Sequence, residues 1–144
     1  QRRVLQFAPS QKAVFAKALG SIWEIPLGRM IMGVVLAPIV DGKLDAWKEW
    51  IAEMQGAKSE EFKDFNRRYG LTRHAAWLAE TPMGPMVIAL HEGPGSDGFI
   101  AKVGASDNEF DKVWFNQKLI EIHGMDTSQP PPGPMPELYL DSGQ

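Results

Sequence analysis

The hydrophobic pattern changes its period several times after residue 30, and each change predicts a new element. Residues 30–40 form a continuous apolar run, MIMGVVLAPIV, which is typical of a β-strand buried on both faces. Asp41-Gly42 interrupts the run. Apolar residues then recur at helical spacing and predict two amphipathic helices, the second ending at Gly70. The stripe residues are Leu44, Trp47, Ile51 and Met54, followed by Phe62, Phe65 and Tyr69.

Residues 71–91 carry two apolar segments joined by Pro-Met-Gly-Pro, a pattern that indicates a β-hairpin. Loop length decides which side chains share a face, because side chains alternate along a strand. A two-residue loop at Met83-Gly84 places His74 diagonal to His91, and a four-residue loop at 81–84 makes them direct partners. Both lengths put the two imidazoles on one face, roughly 5–8 Å apart, and an odd loop separates them.

The last third of the chain predicts one more helix and one more strand. Ser106 and Glu109 have the spacing of a capping box, and Gly124 follows His123 as a helix stop. The segment QPPPGPMP at 129–136 is extended or polyproline-like. The alternating ELYLD at 137–141 predicts a short edge strand.

This order of elements, βαββαβ, predicts an α+β fold of the ferredoxin-like type, with both helices on one face of an antiparallel sheet. The first strand and the MVIAL segment of the hairpin have no polar face. A sheet face that no helix covers would expose an apolar patch larger than monomers tolerate. We therefore expect a homodimer that packs sheet against sheet.

Composition narrows the class of protein. The 144 residues include no cysteine, which excludes disulfides and thiolate chemistry and fits a reducing compartment such as the cytoplasm. No apolar run reaches the roughly 20 residues of a membrane helix. Residues 30–144 carry 10 basic and 17 acidic groups, a poor basis for binding phosphate backbones. We therefore expect neither a nucleic acid nor a membrane partner.

Residues 1–29 differ from the rest, with five basic groups and one acid. This N-terminal extension resembles a targeting presequence, and an N-terminal helix over 11–19 that packs on the body is the alternative. The domain prediction is therefore an extension at 1–29 and one α/β domain at 30–144.

Three segments together resemble a known superfamily. They are WIAEMQGAKSEEFKDFNRRYGLTRHAAWLAETPMGPMVIALHEG, WFNQKLIEIHGMD and PPPGPMPELYLDSG. They are similar to bacterial proteins of uncharacterised activity in the dimeric α/β-barrel superfamily, which includes the antibiotic biosynthesis monooxygenase type. The resemblance spans roughly residues 34–142 and implies the ferredoxin-like fold and the dimer. Other members are isomerases, haem-degrading enzymes and proteins without known activity. The resemblance identifies no catalytic residue, because none of their catalytic patterns matches this chain.

The candidate catalytic residues are therefore the paired histidines of the hairpin, His74 and His91. Imidazoles titrate near neutral pH and suit proton transfer. The alternative for each is a surface histidine or a satisfied hydrogen-bond partner. Metal binding is not expected, since the spacing of the pair lacks the pattern of ligand motifs. We interpret His123 as a helix C-terminal residue that complements the helix dipole.

Tryptophans and one arginine are the candidate substrate-binding residues. Trp50 lies slightly off its helical stripe, and Trp77 shares a strand face with Arg73, so these two tryptophans are candidates to line a pocket. Arg73 would hold a substrate carboxylate, or lie at the surface or the rim of the dimer. Trp47 and Trp114 lie on the apolar stripes and are expected in the core.

Three hypotheses of function follow. The first is a cofactor-independent enzyme, monooxygenase-like or isomerase-like, that acts on a small apolar or aromatic metabolite. The second is a non-catalytic small-molecule binder, and the third is a structural dimer. No cofactor is expected, and haem stays open. An enclosed cavity of ~300 Å³ or more favours the first two hypotheses, and a filled interior favours the third.

Overall fold

The computed structural model describes residues 32–143, which form an α+β domain with a three-stranded antiparallel sheet. The predicted extension at 1–29 lies outside the described residues, as does the start of the predicted first strand. The elements are β1 (Met32–Pro38), α1 (Leu44–Gln55), α2 (Ser59–Arg68), β2 (Arg73–Thr81), β3 (Gly84–Glu92), α3 (Phe99–Gly104), and a π-helical segment (Phe110–Phe115) that continues into α4 (Asn116–His123).

The strand order is β1-β3-β2, with both pairs antiparallel. Thr81 pairs with Gly84, so the hairpin loop is Pro82-Met83 rather than either loop considered from the sequence. This loop has an even length, and it makes His74 and His91 direct cross-strand partners. Gly84 adopts a φ of +103°, a conformation that glycine permits without steric cost.

One face of the sheet packs under the helices and forms the main core. Val35 and Ala37 of β1 and Val87 of β3 are buried on this inner face. The helices contribute mostly aromatic side chains to the same core, and Phe65 is fully buried among them. The predicted stripes of α1 and α2 therefore face the sheet as expected, and Trp50 joins them with 4% exposure.

The opposite, outer face of the sheet is apolar and is not covered by any described residue. Leu36, Ile88 and Trp77 are neighbours across the three strands on this face. Leu36 is 50% exposed and Trp77 is 49% exposed. Within residues 32–143 the first strand is therefore buried on its inner face only, because the described helices pack on one side, and burial of the other face by a second copy stays a prediction.

The C-terminal strand predicted at 137–141 does not form. The segment has no regular secondary structure, and Leu138, Tyr139 and Leu140 are exposed. Alternation of apolar and polar residues is a weak signal for a strand, because the stability of a strand comes mainly from the surface on which it packs. The described residues therefore contain a β1 edge without the fourth strand of a ferredoxin-like sheet.

Helix ends agree with the sequence patterns except at the predicted capping box. Gly70 and Gly124 both adopt a φ of +65° directly after helices, as predicted. The Ser106 hydroxyl accepts a hydrogen bond from the Asn108 backbone N–H and donates to the Asp111 carboxylate, instead of capping Glu109. The capping-box prediction is therefore wrong, because the helix begins at Glu109 and the Asn108 side chain accepts the hydrogen bond from the Phe110 backbone N–H.

That carboxylate is the centre of what we call the Asp111 cluster: Arg68, Tyr69, Ser106 and Asp111. Arg68 donates two hydrogen bonds to Asp111, of 2.8 and 2.6 Å, and the Tyr69 and Ser106 hydroxyls donate one each. The Asp111 side chain has no exposed surface. The Arg68 guanidinium and the hydroxyl donors keep the pKa of Asp111 below its usual value despite the opposing effect of burial. The cluster therefore joins the end of α2 to the π-helical segment.

None of the helices in residues 32–143 has the length and apolarity required to cross a bilayer.

Candidate functional site

The direct pairing of β2 with β3 brings His74 and His91 together on the inner face of the sheet. Their ring centroids are 4.5 Å apart and the rings meet edge to face. Phe99 packs against His91 at 4.5 Å, and Phe62 packs against His74 at 5.1 Å. The imidazole pair is therefore enclosed by aromatic side chains and largely removed from water, with His91 only 5% exposed.

Burial determines the charge of this pair. Desolvation lowers the pKa of His74 to about 3, with a further contribution from the neighbouring His91. Desolvation likewise lowers the pKa of His91 to about 4. A buried imidazolium loses its hydration, and a second one beside it would add repulsion. Both rings are therefore neutral at pH 7, and each has one nitrogen with a free lone pair.

A hydrogen bond selects the tautomer of His74. Its Nδ1 lies 2.9 Å from the Oδ1 of Asn66 on α2. Because the amide oxygen only accepts, Nδ1 carries the proton and Nε2 is the basic atom. The imidazole of His91 makes no hydrogen bond with any of residues 32–143. Asn66 is therefore a positioning residue for His74.

His123 is the third histidine of this site, a placement that its position at a helix end did not predict. It is 9% exposed, and its Nδ1 donates a 2.9 Å hydrogen bond to the Pro38 carbonyl. Burial lowers the pKa of His123, although this hydrogen bond acts in the opposite direction. Its role is therefore not limited to the helix dipole, because it also connects α4 to the end of β1.

All three histidines line one cavity between the helices and the inner face of the sheet. Its volume is about 70 Å³, and its wall is otherwise apolar. The lining includes Val35, Ala37, Trp47, Trp50, Ile51, Met54, Ala76, Val87, Ala89, Phe99, Ile100, Phe115, Leu119 and Met125. The space accommodates a few water molecules or a ligand of a few heavy atoms, well below the ~300 Å³ of a typical pocket for larger ligands.

The predicted substrate-binding residues lie on two sides of the sheet. Trp50 lines the cavity from α1, together with Trp47, which was expected only in the core. Arg73 and Trp77 alternate with His74 and Ala76 along β2, and they lie on the outer face. One chain therefore brings Trp50 to the histidines and keeps Arg73 and Trp77 away from them.

No group of three His, Cys, Asp or Glu side chains within residues 32–143 has the arrangement needed to hold a metal ion. The three imidazoles line a shared cavity without forming such a group.

Sequence patterns missed Asn66 and the Asp111 cluster for the same reason. Asn66 lies beside Phe62 and Tyr69 on the apolar side of α2, but its bond to His74 depends on how α2 crosses the sheet. The residues of the Asp111 cluster are separated by up to 43 positions. No local pattern encodes such a contact.

Comparison with protein-family models, with curated proteins and with solved structures finds no match to this chain.

Proposed function

We propose that this protein is a cofactor-independent enzyme that removes a proton from a small, neutral, apolar ligand bound in the histidine-lined cavity. The observation that carries the proposal is the convergence of three histidines, two buried and one partly buried, on one apolar cavity, with the rings of His74 and His91 4.5 Å apart. Ionisable groups with pKa values strongly shifted by burial inside a cavity are typical of sites of proton transfer.

His74 acts as the base in this proposal. A C–H bond of the ligand next to a carbonyl breaks, its proton moves to Nε2 of His74, and the electron pair stays on the ligand as an enolate. Burial disfavours the isolated imidazolium, whose pKa is about 3, so the empty site stays neutral. The anion formed in the same step stabilises the imidazolium at short range in a low-dielectric cavity. The neighbouring His91 accepts or relays the proton.

Both reaction types implied by the resemblance begin with this step. An isomerase returns the proton to another atom of the ligand. A monooxygenase of the cofactor-free type lets the ligand anion react with dioxygen and needs only substrate, oxygen and a base. The resemblance to dimeric α/β-barrel proteins supports either outcome, and the residues of the cavity favour neither.

The cavity volume favours a second candidate, a purely structural dimeric domain. A volume of about 70 Å³ is roughly half of the 150 Å³ that holds a benzene molecule in an engineered apolar cavity. An aromatic metabolite would therefore need the flexible side chains of Met54 and Met125 to move. A ligand of a few heavy atoms fits without such a change.

The homodimer is part of the proposal. The apolar outer face of the sheet suits a second copy, since facing sheets bury alternating apolar side chains in a layer about 10 Å thick. Two copies packed in this way form the α/β barrel that the resemblance implies. In a complete ferredoxin-like sheet, the fourth strand would pair with the edge of β1.

Deuterium exchange tests proton removal directly. The full chain is incubated in D₂O with small neutral ketones such as acetone and hydroxyacetone, and incorporation at the carbon next to the carbonyl is followed by NMR. We expect catalysed exchange that falls at least tenfold in His74→Ala, because the base is lost. Asn66→Ala should reduce exchange less, because His74 remains but its tautomer is no longer selected.

The matched control is Glu80→Ala, an exposed side chain on the same strand as His74. It should exchange as the wild type does. Ligand binding without exchange in the wild-type protein would favour the non-catalytic binder. No binding of any ketone would favour the structural domain and contradict the proposed enzyme.

A further inference from the structure

Trp50 carries a polar group that the fold of the described chain leaves unused. The side chain is 4% exposed and lines the histidine-lined cavity from α1. Phe115 at 5.3 Å and Trp114 at 6.2 Å pack against its indole, and the imidazole of His123 lies 6.4 Å away. Aromatic rings therefore surround this indole.

Within residues 32–143, the indole Nε1–H of Trp50 has no hydrogen-bond acceptor. Buried donors without a partner are rare, because each one loses its hydrogen bond to water when the chain folds. Two other buried polar side chains nearby are paired: His123 with the Pro38 carbonyl, and the Asn116 amide with Thr127. Ser96 also has an unpartnered hydroxyl, but Ser96 does not line the cavity.

We infer that the Trp50 indole N–H donates a hydrogen bond to an oxygen of the bound ligand, and that the ligand class is therefore small neutral carbonyl compounds. This inference rests on the proposed function, since it uses the same cavity. The carbonyl oxygen lies toward α1 and Trp50, and the acidic C–H lies toward the paired imidazoles on the sheet. When the proton leaves for His74, the electron pair moves onto that oxygen, where the indole donor stabilises the charge.

The test compares two probes of the same shape. Acetone has an acceptor oxygen, and isobutene has a CH₂ group in its place. Affinities of both are measured by NMR titration of the full chain in wild type, Trp50→Phe and Trp114→Phe. We expect the ratio of acetone to isobutene affinity to fall about five- to tenfold in Trp50→Phe, the value of one hydrogen bond. Trp114→Phe is the matched control, since Trp114 packs on Trp50 without lining the cavity, and its ratio should equal that of wild type.

A second measurement uses the wild-type protein and does not depend on the folding of a variant. Acetone should shift the ¹H–¹⁵N resonance of the Trp50 indole downfield, and isobutene should not. Acetone binding without this shift, or with an unchanged ratio in Trp50→Phe, overturns the inference, and so does a cavity that only water fills. If neither probe binds, the inference and the proposed function both fail. If the ratio of acetone to isobutene affinity falls in Trp50→Phe but the wild-type protein catalyses no deuterium exchange, the Trp50 contact is supported and only the catalytic role of His74 is contradicted.

Discussion

The histidine pair shows how a residue's surroundings determine its protonation state. A solvated imidazole is partly protonated near pH 6.5, and the aromatic enclosure of His74 and His91 removes the hydration on which the cation depends. The folded protein therefore keeps two adjacent neutral bases. The unfolded chain keeps ordinary histidines, and this difference couples stability to pH.

We predict that acid destabilises the fold well before its carboxylates are protonated. Because the pKa values of His74 and His91 are lower in the folded state, the unfolded state binds more protons below pH 6.5. Their contribution to the unfolding free energy is complete above pH 6.5 and decreases as the pH falls toward 4. Between pH 7 and pH 5 the loss should be about 2 kcal/mol per histidine. Urea denaturation at the two pH values measures it.

The test of this prediction compares the stability difference between pH 7 and pH 5 in a variant with the same difference in wild type, so that the absolute stability of the variant does not matter. His91→Asn should remove about 2 kcal/mol of the difference between pH 7 and pH 5. The Asp111 cluster does not interfere, since its lowered carboxyl pKa affects stability only below about pH 4. An unchanged pH dependence in His91→Asn would contradict the assignment of a neutral buried imidazole.

At the residue scale, the sequence predicted the histidine pair because parity in a hairpin is a local rule. Even loop lengths place His74 and His91 on one face, and the observed loop is even although it lies at Pro82-Met83. Asn66 and His123 required knowledge of how helices cross the sheet. That crossing depends on side-chain packing over the whole core, which no local period encodes.

At the scale of elements, the Asp111 cluster connects α2 to the π-helical segment through a carboxylate with no exposed surface. A π-helical turn adds a residue to the helical repeat and is less favourable than an α-helical one, so such segments persist where side-chain contacts support them. The four hydrogen bonds received by Asp111 are such contacts.

We predict that Asp111→Ala lowers the unfolding free energy by about 3 kcal/mol, because Arg68 and Tyr69 lose their shared acceptor inside the structure. Asp64→Ala is the matched control. Asp64 also pairs with Arg68, at 2.8 Å, but it is half exposed, so its loss should change stability little. Chemical denaturation of both variants measures the difference. Equal effects would show that Asp111 is not the centre of the cluster.

Helices and the hairpin were predictable because each has its own period and stop signal. The strand predicted at 137–141 does not form. Its alternating residues indicate that one face is apolar, but they do not indicate which part of the protein would cover that face. The capping box at Ser106 failed for a related reason. Ser106 and Asn108 are both favourable N-cap residues, and the local pattern did not show that Asn108 would cap the helix.

At the scale of the whole molecule, the two faces of the sheet differ in what they contact. The inner face meets the helices and the cavity. Among the described residues, the exposed large apolar side chains of the outer face include Met32, Leu36 and Trp77. Leu78 is also exposed, but its position in β2 places it on the inner face. Exposure of this extent on neighbouring strands is the basis for the proposed dimer.

We predict that the full chain has the native mass of a dimer and that Trp77→Glu converts it to a monomer. A charge at the centre of a sheet-to-sheet contact would be buried without a partner and would disfavour association. Val113→Glu is the matched control, since Val113 is 60% exposed on the π-helical segment and does not belong to the sheet. Native mass spectrometry and light scattering measure both variants. A wild-type monomer at high concentration would contradict the proposed dimer.

The neutrality of the cavity has a consequence for which compounds can reach it. Because the imidazoles are uncharged and the wall is apolar, the cavity has no counter-ion for a carboxylate, phosphate or ammonium group. A ligand that carries such a group would lose its hydration on binding and gain no ion pair. Uncharged molecules face no such barrier. The cavity would therefore select neutral ligands over charged ones at the binding step, and ions would form in it only through the proton transfer that follows.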